Sequence, residues 1–275
     1  MERLDRFCGE QFFYADIAGM CVSAARGDAY YRKAFGYADY AGKIQLQEFS
    51  LFPCASIAKL ITADLVLDHL EFTDDVVHML SHTTGISEEG LYLWKPEEFR
   101  FSYDDAGYDR LGGILEKETG VSYRELAEDR LKAYGMNESS FSEQNVVCGH
   151  FKDRERRICT DRRYRYEKMH LPSSGLISNI YDLEILARKF MDDERYGMMR
   201  KPVCSIPGTG EQMGLGFFIM KKDGHLLYGH DAGEYGYRGT FWICPELEIS
   251  IIVLSNHSGA PVRRIAEGIF DILKG

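Results

Sequence analysis

The chain has 275 residues, of which 45% are hydrophobic and 28% charged, as in a globular protein with a substantial core rather than a disordered or fibrous chain. Its net charge of −10 argues against a nucleic-acid partner, because polyanions bind basic surfaces. No apolar run is long enough for a membrane span, so we expect no membrane partner. The seven cysteines are scattered and no apolar leader follows the first residues, so we expect a reducing, cytoplasmic location.

Both ends of the chain have the pattern of strands with a terminal helix. Apolar spacing over residues 1–15 predicts an amphipathic helix, and residues 17–25 and 29–37 predict a hairpin that turns at Gly27. In the last third, a helix follows Pro261, and strands are predicted at 213–221, 225–229, 237–244 and 248–255.

The middle of the chain is helical instead, with helices predicted at 56–70, 106–119, 122–133 and 180–191. We therefore expect an α/β (α+β) fold, in which one antiparallel sheet is assembled from both termini and flanked by the terminal helices. A helical subdomain is inserted between its strands. The predicted division is a sheet subdomain of residues 1–55 plus 203–275 and a helical subdomain of residues 56–202, within one domain.

One segment departs from the acidic character of the chain. Between His150 and His170 there are eight basic residues and four acidic ones. The ordinary interpretation is a solvated surface loop. The alternative is a cationic rim that attracts a carboxylate-bearing substrate, which charge reversal at Arg162 and Arg163 tests.

The first candidate for chemistry is Ser56-Ile57-Ala58-Lys59. If Ser56 opens a helix, Lys59 lies one turn further on the same face, and its amine approaches the hydroxyl. A serine nucleophile needs such a base, and the helix N-terminus favours a developing oxyanion. The pattern alone is short enough to occur by chance, and a capping serine followed by a surface lysine is the ordinary alternative.

Further motifs follow in order: Ser81-His82-Thr83-Thr84-Gly85, Tyr103-Asp104-Asp105, Ser174-Gly175-Leu176 and Gly229-His230-Asp231-Ala232-Gly233. With Ser56 and Lys59, they make the chain resemble the serine β-lactamase and penicillin-binding-protein superfamily. The likeness is greatest to the branch of class C β-lactamases, D-alanyl-D-alanine carboxypeptidases and esterases, and it runs from about Ile17 to Ile272. It implies a β-lactamase-like domain that needs neither a cofactor nor a metal.

The resemblance implies a catalytic role for each matched residue. Ser56 corresponds to the acylated nucleophile and Lys59 to the lysine that activates it. Tyr103 corresponds to a tyrosine that carries protons to the leaving group and from the hydrolytic water. The backbone N–H groups of Ser56 and Gly233 correspond to the oxyanion hole.

The resemblance also implies substrate-binding positions at Asp105, His230, Asp231 and Ala232. His230 matches the first residue of the family's Lys-Thr-Gly element, where this branch often has histidine. Ala232 stands where glycine is usual, and alanine is small enough to be tolerated beside a substrate.

Asp105 is the more consequential departure, because β-lactamases have asparagine at this position. A carboxylate there is expected to pair with Lys59, keep it protonated and shift the role of base to Tyr103. The change also removes an amide donor that holds an acylamino side chain, which disfavours strong β-lactamase activity.

Other catalytic or metal constellations are weaker. His78 and His82 are four residues apart but lack a third ligand at suitable spacing, and the Cys and His residues around His150 lack a second pair. Cys54 lies in an apolar run, where burial raises the pKa of a thiol and suppresses its reactivity. We therefore predict no metal site.

The sequence thus predicts a serine hydrolase that works through an acyl-enzyme on Ser56. Esters or small amides and peptides are the first choice of substrate. A β-lactam or a D-alanyl-D-alanine peptide is the second, because those targets lie outside the cytoplasm. The alternative of another class is a ligand sensor that acylates without turnover, or an inactive module on the same scaffold.

Overall fold

The structure is a computed structural model that describes residues 1–86, 99–161 and 170–275. Its strands are β1 (Gly19–Arg26), β2 (Ala29–Asp39), β3 (Ile44–Gln45), β4 (Phe52–Pro53), β5 (Gly149–Lys152), β6 (Ile158–Asp161), β7 (Ile177–Ser178), β8 (Cys204–Ser205), β9 (Gln212–Met213), β10 (Phe218–Lys222), β11 (His225–Glu234), β12 (Tyr237–Cys244) and β13 (Ile249–Ser255). Its helices are α1 (Glu2–Ala15), α2 (Ala58–His69), α3 (Asp74–Leu80), α4 (Ala106–Thr119), α5 (Tyr123–Tyr134), α6 (Leu171–Ser174), α7 (Ile180–Asp192) and α8 (Val262–Leu273).

The two ends of the chain build one sheet. Within the described residues it has nine strands in the order β3-β2-β1-β13-β12-β11-β10-β9-β8, and all neighbouring strands are antiparallel. The first and last parts of the chain meet where β1 pairs with β13, with Val22 opposite Val253. The predicted sheet assembled from both termini is therefore confirmed.

Helices cover both faces of this sheet. On one face α1 and α8 pack over β1, β12 and β13, and their shared core includes Leu4, Trp242 and Phe270. On the other face α7 packs against β1, β12 and β13, and the larger core that it shares with α2, α4 and α5 includes Leu60 and Phe190. Burial of each such side chain contributes about 1.5–3 kcal/mol, so the two cores fix the helices to the sheet.

Local signals explain where several helices begin and end. The Ser122 side chain accepts a hydrogen bond from the Glu125 N–H at the start of α5, and Gly135 ends that helix with a φ of 81°. The Asn179 side chain caps α7 in the same way. No helix in the parts of the chain described here is both long and apolar enough to cross a lipid bilayer.

Two predicted strands differ in extent from the structure. The strand predicted at 213–221 is interrupted after Met213 by a turn, in which the Gly214 N–H donates to the Phe217 carbonyl and Gly216 has a φ of 94°. The strand predicted to end at residue 229 continues to Glu234, because β11 and β12 close a hairpin in which Glu234 pairs with Tyr237.

Candidate active site

Ser56 lies in a short 3₁₀ turn directly before α2. The preceding strand β4 pairs with β7, and the Cys54 N–H donates to the Leu176 carbonyl at 2.8 Å. Between them Ala55 has a φ of 41°, a left-handed conformation that costs a non-glycine residue of order 1 kcal/mol. The chain therefore turns sharply from a paired strand into the helix that carries Lys59.

Lys59 is fully buried, and its ammonium has three acceptors. Nζ lies 3.4 Å from Ser56 Oγ, 2.5 Å from Asp105 Oδ1 and 2.9 Å from the Ser173 carbonyl oxygen. A lysine ammonium has three hydrogens, so every donor is used. This complete set of partners offsets the cost of burying the charge.

Tyr103 donates a hydrogen bond from its hydroxyl to Ser56 Oγ at 2.8 Å. Although 41% of the residue is exposed, partial burial raises the pKa of the phenol above its ordinary value of 10.0, and the Asp105 carboxylate acts in the same direction. The Lys59 ammonium opposes both effects and does not outweigh them. Tyr103 is therefore a protonated phenol at neutral pH.

Asp105 forms the expected ion pair with Lys59, and its side chain remains 55% exposed. It lies at the N-terminus of α4, where its neighbour Asp104 accepts the Gly107 N–H at 2.6 Å. The start of α4 thus fixes the position of Asp105, whose carboxylate pairs with Lys59 and is also accessible to solvent.

A second carboxylate on α4 supports the same lysine from another direction. Asp109 lies one turn after Asp105, and its oxygens lie 2.8 Å from His170 Nδ1 and 3.2 Å from the Ser173 nitrogen. The Ser173 carbonyl is an acceptor for Lys59, so Asp109 positions α6 and, through it, the ammonium.

The Ser81-His82-Thr83-Thr84-Gly85 turn places an imidazole beneath the tyrosine. The His82 ring centroid lies 4.3 Å from that of Tyr103, and Nδ1 accepts the Asp104 N–H. Burial, together with the nearby Lys59 ammonium, lowers the pKa of His82 well below 6.5, so the ring is neutral. His82 supports the tyrosine ring as a neutral side chain.

Strand β11 forms the other side of the site. His230 is buried, its ring centroid lies 6.1 Å from that of Tyr103, and burial together with Lys59 lowers its pKa to about 4. Ala232 lies on the part of β11 that contacts the turn holding Ser56. Both Ala232 and Ile57 of that turn pack around Gly239, the residue paired with Ala232: a Cβ added at Gly239 would lie 3.4 Å from Ala232 Cβ and 3.5 Å from Ile57 Cδ1.

Gly233 follows on the same strand, opposite Arg238. Its assignment to the oxyanion hole together with the N–H of Ser56 stays a prediction.

Comparison with known proteins shows the family of the chain. A family model described as Beta-lactamase matches residues 75–274, which is more than half of the chain. The chain belongs to the beta-lactamase family. Ser56 and Lys59 lie before the matched residues, so their assignment rests on the geometry described above.

Individual relatives of this beta-lactamase family member are distant. The D-aminopeptidase of Brucella canis is 22% identical over 90% of this chain and 57% of its own length, so the chain spans little more than half of that relative. The octameric penicillin-binding protein homologue from Pyrococcus abyssi superposes with a TM-score of 0.87 and 25% identity, over 100% of this chain and 77% of that one. The D-amino acid amidase from Ochrobactrum anthropi superposes with a TM-score of 0.84 and 15% identity, over 98% of both chains.

The structure does not bring the Asp231 side chain to Ser56. Successive residues of a strand face opposite sides, and Asp231 lies on the side covered by α8. Its Oδ1 accepts from Thr240 and Trp242, and its Oδ2 lies 2.6 Å from Arg263 Nη1. The side chain thus ties the strand behind the site to α8, and the assignment of Asp231 to substrate binding stays a prediction.

The remaining constellations considered from sequence have other partners in this family member. His78 Nδ1 lies 2.8 Å from Thr83 Oγ1, and burial raises the pKa of the Cys54 thiol far above its usual range. Within residues 1–86, 99–161 and 170–275 there is no cluster of three or more His, Cys, Asp or Glu side chains suited to a metal ion. Arg162 and Arg163, the proposed cationic rim, lie outside the described residues.

Proposed function

We propose that the protein is a serine hydrolase that cleaves small amides and peptides through an acyl-enzyme on Ser56, and that it also accepts esters of the same acyl groups. The observation that carries the proposal is the pair of hydrogen bonds that Lys59 and Tyr103 make to Ser56 Oγ, at 3.4 and 2.8 Å. Two proton-carrying groups on one serine oxygen are the arrangement that nucleophilic catalysis needs.

The protonated state of Tyr103 assigns the two groups different tasks. Lys59 first releases one proton to solvent through the exposed Asp105 carboxylate, and the resulting amine takes the proton of Ser56 as Oγ bonds to the carbonyl carbon of the substrate. Tyr103 gives its proton to the leaving amine when the carbon–nitrogen bond breaks, and Lys59 then returns a proton to Tyr103. This differs from the expectation that Asp105 shifts the role of base to Tyr103, because burial raises the pKa of the phenol.

Hydrolysis of the acyl-enzyme uses the same groups in reverse. Water attacks the ester carbonyl and gives one proton to the Tyr103 and Lys59 pair, and the pair returns a proton to Ser56 Oγ as the ester bond breaks. The oxyanion of both steps is assigned to the N–H groups of Ser56 and Gly233, and two such donors contribute the largest single effect on rate.

The preference for amides and peptides is supported by the names of two relatives. A D-aminopeptidase matches most of this chain, and a D-amino acid amidase shares its fold over nearly the full length of both chains. The replacement of asparagine by Asp105 argues for the same choice over β-lactams.

The proposal is tested by treating the protein with a fluorophosphonate, measuring its intact mass and assaying a panel of small amides and esters. We expect one adduct and substrate turnover, both absent in Ser56→Ala and both present in Ser174→Ala, which removes a hydroxyl on the neighbouring α6. An adduct without turnover of any substrate would overturn the hydrolase in favour of a sensor. The absence of an adduct would overturn Ser56 as the nucleophile.

A further inference from the structure

One oxygen of the Asp105 carboxylate, close to the nucleophile, is available to accept a hydrogen bond from a substrate. Oδ1 is occupied by Lys59, whereas Oδ2 has no hydrogen-bond donor among the residues that the structure describes. More than half of the side chain is exposed, so a substrate has access to it. Among the residues that contact Ser56 or Lys59, it is the one exposed carboxylate in the described part of the chain.

The distances place the Asp105 carboxylate within the range of Ser56 Oγ that the α-amino group of a substrate occupies. Asp105 Oδ1 and Ser56 Oγ both contact Lys59 Nζ, at 2.5 and 3.4 Å, so their separation cannot exceed the sum of these distances. A carbonyl carbon about to be attacked lies about 3–3.5 Å from Oγ. The α-amino nitrogen of an amino acid is two bonds, or about 2.5 Å, from that carbon. The Asp105 carboxylate and the α-amino group of a bound substrate thus lie within a similar range of Ser56 Oγ, so an ammonium on the Asp105 side of the nucleophile is close enough to pair with the carboxylate.

The other described groups that contact Ser56, Lys59 or Tyr103 carry no positive charge that a substrate reaches. His230 and His82 are neutral because burial and Lys59 lower their pKa values, and Tyr103 is a neutral phenol. The Lys59 ammonium is fully buried and has its three acceptors within the protein. The accessible charge beside Lys59 is therefore the negative Asp105 carboxylate. On the sheet side the Arg238 guanidinium lies next to Gly233, where its Nη1 donates to the Glu234 and Tyr237 carbonyl oxygens.

We propose that Asp105 is the specificity residue for a protonated α-amino group, so that the acyl donor is an amino acid amide, an amino acid ester or a peptide with a free N-terminus. The proposal rests on the proposed function and narrows its substrate class. It predicts a preference for cationic substrates, whereas a cationic rim would favour substrates that carry a carboxylate. A comparison of substrates of the two charges therefore decides between the two proposals.

The test uses three p-nitroanilides of one amino acid, with a free amine, an N-acetyl or an N-succinyl group, each as the D and the L enantiomer. For the wild type we expect kcat/KM for the free amine to exceed that for the N-acetyl compound by about fivefold, the upper end of the effect expected for an ion pair at a partly exposed carboxylate. The N-succinyl compound is expected to be the poorest substrate.

The matched variant is Asp105→Asn, which keeps the shape of the side chain and removes its charge. Because Asp105 also holds Lys59, all three rates are expected to fall, and the readout is the ratio between substrates. We expect the preference for the free amine over the N-acetyl compound to fall to within about twofold. Asp109→Asn is the control, since it loosens Lys59 without facing the substrate and leaves the ratio unchanged.

A pH series on the wild type gives a second readout that needs no variant. An α-amino group has a pKa of about 7.7–8.0, so the preference for the free amine is expected to decline above about pH 8 as the amine loses its charge. The rate for the N-acetyl compound has no such component. An unchanged preference across this range would overturn the proposal.

If Asp105→Asn has too little activity to measure, binding replaces turnover. Calorimetry with an amino acid amide and its N-acetyl form is then done on Ser56→Ala, with and without Asp105→Asn. Equal affinities for both ligands in Ser56→Ala would overturn the proposal, as would a wild type that prefers the N-acetyl or N-succinyl substrate. These failures are distinct from failure of the proposed function, because adduct formation at Ser56 is measured separately.

Discussion

The helical side and the sheet side of the site use different chemistry. The helical side contributes charged groups that are all held by hydrogen bonds. They are Lys59 on α2, Asp105 at the start of α4, and Asp109 on α4, which accepts a hydrogen bond from the Ser173 N–H of α6. From β11 come His230 and the small Ala232, which are neutral. The proton chemistry therefore depends on Lys59, whose ammonium is fully hydrogen-bonded, whereas the sheet contributes the shape of the site and its backbone groups. Changes on the helical side should therefore affect catalysis more than changes on the sheet.

The largest effect is expected for Lys59→Met. The substitution removes the base and the amine that exchanges protons with Tyr103. The fold should survive, because the Asp105 carboxylate that loses its partner is exposed to solvent and does not become an unpaired buried charge. We expect kcat to fall by about a thousandfold, measured with the best amide substrate. Lys132→Met, at a lysine whose side chain is 71% exposed, is the control. A kcat within tenfold of the wild type would contradict the role of Lys59.

The neutral histidine on the sheet side predicts a loss of stability in acid. Folding lowers the pKa of His230 from 6.5 to about 4, so between these values the unfolded state binds more protons than the folded state. The free energy of unfolding should therefore fall as the pH drops from about 6.5 to 4, by of order 2 kcal/mol from this residue. Urea denaturation at pH 7 and pH 4.5 measures it.

His230→Gln removes this contribution and is the comparison for the acid experiment. The variant should lose less stability than the wild type over the same pH interval, whatever its stability at pH 7. His257, whose pKa is also lowered to about 4 by burial, remains in both proteins and should add the same loss to each. Identical pH dependence in the two proteins would show that His230 is not held neutral by the fold.

A smaller effect is expected when the support of Lys59 is loosened. Asp109→Asn weakens the contacts to His170 and to the Ser173 nitrogen, so α6 and the carbonyl that accepts from Lys59 are held less firmly. We expect kcat to fall by about tenfold with little change in KM, the signature of mispositioned catalytic groups. Asp129→Asn, on the exposed side of α5, should leave both constants unchanged. A change confined to KM would contradict the positioning role.

The smallest effect is expected behind the sheet. Asp231→Asn breaks the ion pair with Arg263 but leaves an oxygen for Thr240 and Trp242. Since both partners of the ion pair are partly exposed, we expect a loss of about 1 kcal/mol in the free energy of unfolding. The value of kcat should stay within about threefold of the wild type, with unchanged substrate preference. A changed preference between the amine and N-acetyl substrates would show that the side chain reaches the substrate.

These regions also differ in how far the sequence predicts them. The sheet could be expected from strand patterns at both chain ends, and Lys59 could be expected beside Ser56 from their spacing in a helix. The prediction of Asp231 as a substrate-binding position included no direction for its side chain, because the strand was predicted to stop at residue 229. Once β11 is extended to Glu234, the alternation of side chains along a strand places that of Asp231 on the opposite face of the sheet from those of His230 and Ala232.

The contacts of Asp109 with His170 and Ser173, which help to position Lys59, could not be predicted from the sequence for a different reason. Asp109 and His170 are 61 residues apart, and neither belongs to a recognisable motif. Their contact exists because α4 and α6 pack together, where Gly112 leaves room for Pro172: a Cβ added at Gly112 would lie 2.2 Å from Pro172 Cγ. The direction of the shift in the pKa of Tyr103 likewise depends on burial, which spacing does not reveal.

The most direct test of the central claim is to trap the acyl-enzyme during turnover. The protein is mixed with an amino acid p-nitrophenyl ester, quenched in acid within the first turnovers, digested and analysed by mass spectrometry. We predict that the peptide containing Ser56 gains the mass of the aminoacyl group, and that Ser56→Ala gains none. Turnover of the ester with no acylated peptide, or with the acyl group on another residue, would contradict it.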